Sequence, residues 1–140
     1  MKAKNVLCFS VIFFILVFWG GKAVPQGQLP EYSAIEARLH IGEEAIVKGT
    51  VLHLKYYRPW KPNKKKIIFL NIDGKFPDHP FTAVIFEEYF SKFPNFARIR
   101  EMYENKTVRI RGTIEEYKGK PQIVLTSQDQ IKIVQPRKKS

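Results

Sequence analysis

The chain holds a single cysteine, Cys8, in 140 residues. It therefore builds no disulfide framework and no cysteine zinc site, and beyond residue 8 it offers no thiol nucleophile. Acids are also scarce: 13 Asp and Glu stand against 24 Lys and Arg, a formal charge of +11. The three histidines, His40, His53 and His79, show no metal-ligand spacing. The carboxylates come as neighbours, at Glu43 and Glu44, Glu87 and Glu88, Glu115 and Glu116. On a strand such neighbours point to opposite faces, so none forms a catalytic pair. No catalytic residue, metal ligand or cofactor is expected, and the chain reads as a binding protein and not an enzyme.

Long apolar runs are absent with one exception. Val6 to Trp19 is apolar apart from Ser10, follows Lys2 and Lys4, and precedes Gly20 and Gly21. Gly21 and Ala23 are small residues at the −3 and −1 positions of a cut before Val24, which completes the three-part pattern of a secretory signal peptide. The run falls short of the roughly 20 residues that cross a bilayer comfortably. Residues 1–23 are read as a signal peptide, with cleavage favoured over an uncleaved membrane anchor. Export to a periplasmic or extracellular space follows. Cys8 sits inside the apolar run, not after it, and is a poor candidate for lipid modification. Without residues 1–23 the chain keeps 21 bases against 13 acids, still a formal +8. Such a surface favours polyanions without choosing among nucleic acid, anionic lipid and acidic glycan.

Aromatic residues are plentiful, at 14%. The stretch Glu44 to Arg58 (EAIVKGTVLHLKYYR) reads as a long strand with Val47, Val51 and Leu54 inward. Gly49 falls where the alternation slips, as at a bulge. Before it, residues 24–43 read as a linker and a short helix, Glu31 to His40, with Ile35 and Leu39 on one side and Gly42 as its stop. Lys66 to Asp73 and Phe81 to Phe86 read as strands joined by the turn Gly74 to Pro80. Helical turns follow from Glu87, Pro94 interrupts them, and Asn95 caps a helix running through Glu104. Thr107 to Tyr117 is a strand with an internal glycine, Gly112; Lys118 to Lys120 is a hairpin turn; Pro121 to Thr126 is a fifth strand, and Gln130 to Val134 extends the sheet. The order of three strands, helix, two strands is that of a five-stranded Greek-key OB-fold barrel, an all-β class with little helix, with its helix between strands three and four. The domain spans residues 44–134, and residues 135–140 form a basic tail.

Three runs carry a resemblance: HIGEEAIVKGTV (His40 to Val51), FLNIDGKFPDHPFTAVIF (Phe69 to Phe86) and KTVRIRGTIEEYKGKPQIVL (Lys106 to Leu125). They resemble a family of small bacterial exported OB-fold domains, grouped with nucleic-acid-binding modules and also found beside thermonuclease domains. The resemblance covers most of His40 to Ile133. It implies an OB barrel and, less specifically, nucleic-acid binding. Asp73 departs from the pattern and sets an acid beside the presumed binding face.

The main constellation is KYYRPWKPNKKK, Lys55 to Lys66. Six bases (Lys55, Arg58, Lys61, Lys64, Lys65 and Lys66) interleave with Tyr57 and Trp60, and no acid intervenes. Single-stranded nucleic acid is held by cations that track phosphates and rings that stack bases. In an OB-fold this stretch is the loop between strands one and two, which lines the cleft. Phe69 and Asn71 on the second strand, with Arg109 and Arg111 on the fourth, form a second set if all four point outward. The alternative is that Phe69 is covered and the arginines pair with Glu115 or Glu116. Lys118 and Lys120 sit on the other cleft-lining loop. The expected ligand is single-stranded DNA or RNA, bound by a monomer with little sequence preference. The rival is an envelope module that binds a protein partner or an anionic glycan. Membrane contact is expected only through an uncleaved N-terminal segment.

Overall fold

The computed structural model describes residues 27–138. The leader at 1–23, Cys8, the first residues of the linker, and Lys139 and Ser140 of the tail lie outside the described residues. The chain forms strands β1 (Glu31–Ser33), β2 (Glu44–Tyr57), β3 (Ile67–Ile72) and β4 (Phe81–Phe86), then helix α1 (Phe96–Tyr103). Strands β5 (Thr107–Thr113), β6 (Glu115–Tyr117), β7 (Lys120–Val124) and β8 (Ile131–Ile133) complete it. Short helical turns occupy Ala37–Leu39, Glu87–Lys92 and Gln128–Gln130.

The strands run β6–β7–β4–β3–β2–β5–β8, with β1 on β2. β2 serves two ladders. Glu44 to Thr50 pairs with β5, and Val51 to Tyr57 pairs with β3, both antiparallel. The register shifts between Val51 and His53. The bulge is thus at Leu52 and not at Gly49. What Gly49 provides instead is room, since a Cβ there would lie 2.3 Å from Ile72 Cγ2 and 2.8 Å from Asp73 Oδ2. The missing side chain lets the end of β3 close onto β2. Asp73, at φ 56°, seals that end: its carboxylate accepts from Thr50 N (2.7 Å) and its own N–H donates to Thr50 O (2.8 Å).

The sheet departs from the expected closed five-stranded barrel. Its described residues form eight strands, seven of them on an open path that ends at β6 and β8, with β1 beside β2. The expected fourth strand is divided because it changes partner: Thr113 still pairs with Glu44, whereas Glu115 pairs with Gln122 of β7. Between them Ile114 bonds Glu43 and Gly42 through its N–H and carbonyl (2.9 and 2.7 Å). β8 pairs with β5 and β1 adds in parallel to β2. The expected N-terminal helix is also corrected. Glu31–Ser33 is strand, and only Ala37–Leu39 makes a helical turn. Ile35 and Leu39, the presumed helix face, are 57% and 72% exposed, while the small Ala34 and Ala37 are fully buried. Ser33 ends the strand by donating its N–H and hydroxyl to Glu36 Oε2 (2.8 and 2.6 Å). The helix between β4 and β5 is present, and Asn95 caps it by accepting from Arg98 N at 2.9 Å.

Alternation fills the core. Ile68, Leu70 and Ile72 of β3 face Phe81, Ala83 and Ile85 of β4, and β2, β5 and β7 with the residue that follows it add Val47, Val51, Ile110, Ile123 and Leu125. α1 contributes Ile99 and Tyr103. Each fully buried aliphatic side chain contributes about 1.5–3 kcal/mol, against roughly 0–1 for an exposed ion pair. Apolar burial, not surface charge, therefore holds the fold. The core cluster runs from Ala34 to Ile131. Among the described residues no helix is long and apolar enough to cross a membrane.

Gly49→Ala is expected to destabilise the protein by about 1–3 kcal/mol through overpacking against Ile72. Denaturant unfolding measures it; an unchanged midpoint would mean that β3 need not close onto β2 at this glycine.

Candidate functional site

The same alternation that buries one side of β3 and β4 turns a second set of side chains outward. Strand register arranges them in rows. His53, Asn71, Thr82 and Gln122 lie opposite one another across β2, β3, β4 and β7. The next row is Lys55, Phe69, Val84 and Val124, and the next Tyr57, Ile67 and Phe86. All of these but His53, Val84 and Val124 floor a cleft of about 740 Å³. Loops supply its walls: Lys64 and Lys65 from the β2–β3 loop, Phe76 and His79 from the β3–β4 turn, and Lys118 from the β6–β7 turn. Tyr117 and Lys120, paired across that hairpin, complete the rim. Five lysines and five Phe or Tyr rings line the cleft, and no acidic side chain does among the described residues.

Several contacts hold the walls in place. Lys55 Nζ lies 5.6 Å from the Phe76 ring centroid. Lys120 donates to the carbonyl of Pro77 and, at 3.5 Å, to that of His79, so it clamps the turn that carries Phe76. The turn at Lys118 and Gly119 has φ of 49° and 78°, the left-handed pair of a two-residue hairpin. Asn71 Nδ2 donates to His53 Nδ1 at 3.2 Å. His79 is only 8% exposed, and its Nδ1 has no partner. Burial, then the Lys120 ammonium, then His53 hold its pKa below the ordinary histidine value.

Of the expected site residues, Lys55, Tyr57, Lys64, Lys65, Phe69, Asn71, Lys118 and Lys120 meet at this cleft. Arg58, Trp60, Lys61 and Lys66 do not line it. Trp60 is 88% exposed with Lys61 Nζ 5.3 Å from its ring centroid, and Lys66 is drawn to Glu87 (3.1 Å). Lys65, though at the cleft, pairs with Glu88 at 3.0 Å. Arg109 and Arg111 are elsewhere. They pair in register with Lys48 and Ile46, on the half of β2 before the bulge, and line a separate groove with Lys132 and Arg137. Their acidic partners are Glu31 (2.8 Å) and Asp129 (3.4 Å), not Glu115 or Glu116. The sequence reading missed Phe76, His79, Thr82, Phe86, Tyr117 and Gln122. Alternation along FTAVIF could have paired Thr82 with Phe86, but only register brings Gln122 beside Thr82. Among the described residues no three of His, Cys, Asp and Glu gather as a metal site requires.

No family model matches the chain and no curated protein matches it, so the family resemblance of its motifs rests on those motifs alone. Several solved structures are similar, two of them as follows. One is the solution structure of a replication factor A-related protein from Methanobacterium thermoautotrophicum, 18% identical, covering 74% of this chain and 91% of that one with a TM-score of 0.41. The other is the crystal structure of a lipoprotein from Klebsiella pneumoniae, provisionally named nucleic acid-binding, 13% identical, covering 73% and 79% with a TM-score of 0.40. At this level of likeness no residue correspondence is drawn, and the site is read from its own geometry.

The buried His79 has a pH consequence. Its folded pKa is depressed, so the unfolded chain takes up a proton first, near pH ~6.5. Stability is full above that value and falls as pH drops below it. Urea unfolding at about pH 7.5 and 5.5 is expected to show this loss, reduced in His79→Gln. The depressed carboxylates Glu87 and Glu88, held by hydrogen bonds from Lys66 and Lys65, come into play only at lower pH. An equal loss in the variant would remove His79 as the cause.

Proposed function

We propose that this protein binds single-stranded nucleic acid in the cleft over β2, β3, β4 and β7. One observation carries the reading: five lysines and five aromatic rings converge on one concave surface that is acid-free among the described residues. Lysine ammonium groups hold phosphates as point charges, and a ring stacks any base because every base has a π-face, at about 1–3 kcal/mol each. Duplex does not suit this arrangement, since paired bases keep their faces stacked on one another. Phe69 is the central platform, with Lys55 opposite it on β2 and Phe76 on the rim. The leader pattern of residues 1–23 supports export of the unit from Val24 onward, periplasmic or extracellular. The chemistry asked of the cleft is binding alone.

The rival of an envelope module for a protein or an anionic glycan has one observation in its favour. The groove holding Lys48, Arg109, Arg111, Lys132 and Arg137 is cationic and, among the described residues, has no aromatic lining, so it suits sulfate or phosphate groups without bases.

Anisotropy titration of the chain from Val24 with labelled oligothymidine across salt tests the reading. Affinity is expected to fall linearly with salt on logarithmic axes. Phe69→Ala should weaken binding by about 1–3 kcal/mol, and Trp60→Ala by less, because Trp60 stands outside the cleft. Lys64→Ala should lower the salt slope by about 1. Weak, salt-insensitive binding would reject the proposal, and a partner retained from envelope extract after nuclease treatment would favour the rival.

A further inference from the structure

The described residues include four buried polar side chains: Asn71, His79, Thr82 and Gln122. All four line the one cleft. Three lie in a single register row, Asn71 opposite Thr82 and Thr82 opposite Gln122. With strands about 4.8 Å apart, the row spans about 10 Å. Asn71 spends an amide hydrogen on His53. Among the described residues the only buried polar side-chain atom without a partner is His79 Nδ1, so the free polar ends of Asn71, Thr82 and Gln122 are open to water in the cleft.

Resting on the nucleic-acid reading above, we infer that this row reads the hydrogen-bonding edge of one base, giving the cleft a base preference. The row carries both donors and acceptors and no formal charge, so it suits a base edge and not a phosphate, for which the lysines are already present. It also sits beside the platform. Phe69 is two residues from Asn71 on the same face of β3, about 7 Å away along the strand. A base stacked on Phe69 therefore turns its edge toward Asn71, Thr82 and Gln122. An edge that matches replaces the water on these groups with bonds; one that does not strips that water and leaves them unpaired, which is where strong discrimination arises.

The chain from Val24 contains the whole core described above and is the protein to use. It is titrated with equal-length oligomers of thymine, cytosine and adenine, and with an abasic strand of the same length. The expected result is a spread of about tenfold or more among the three bases, with the abasic strand weaker than the best of them. Thr82→Val and Gln122→Leu should each narrow the spread, lowering affinity for the best base more than affinity for the abasic strand. Thr82→Val keeps a strand-favouring shape, so it carries the test if Gln122→Leu folds poorly. Equal affinity for the three bases would overturn the inference while nucleic-acid binding stood, as would a spread unchanged in both variants. Failure of every oligomer to bind would overturn the underlying reading itself.

Discussion

Everything in this protein depends on one strand holding two partners. β2 gives its first half to β5 and its second to β3, and its pairing with β3 shifts at Leu52. A strand has two edges and two faces. By changing neighbours midway, β2 bends the sheet around the core built from β3, β4, β5 and β7. Gly49 and Asp73 meet this constraint from the other side, one by vacating space for Ile72 and one by bonding the end of β3 to Thr50. The burial they permit outweighs any ion pair on the surface.

The same bend separates the positive charge into two populations. Past the bulge, the outward residues of β2 join those of β3, β4 and β7, and rings lie among the lysines. Before the bulge, the outward residues of β2 join those of β5 and β8, and among the described residues no ring lines the groove they form. The two clusters differ in chemistry although composition alone would add them together. Acids are spent unevenly as well. Glu31 and Asp129 offset the arginine groove, whereas at the cleft an acid reaches only Lys65 at the edge, among the described residues.

The strands that alternate clearly were legible in the sequence. Ile68, Leu70 and Ile72 against Ile67, Phe69 and Asn71 fixed two faces, and the helix cap at Asn95 was visible three residues before the N–H it accepts. The bulge was not legible, because a glycine draws attention and Leu52 does not. β1 was hidden for a different reason: Ile35 and Leu39 imitate a helix face, yet burial falls on Ala34 and Ala37, which only three-dimensional closeness selects. Arg109 and Arg111 were grouped with Phe69 as though the sheet were flat, and the bend at β2 parts them. Thr82 and Gln122 sit in strands that read as largely apolar, so their common row emerges from register alone.

The short β1 has a role out of proportion to its three residues. It lies in parallel on Ile46 to Lys48, along the edge of β2 that β3 reaches only from Val51 onward. Pro30 O accepts from Ile46 N at 2.9 Å, and Glu31 ties the strand to Arg109. A chain that began after Ser33 would keep most of its core and bare an unsatisfied strand margin, the template on which foreign strands add. These few residues thus act as a seal against self-association, and trimming the chain past them would leave a sheet able to recruit copies of itself.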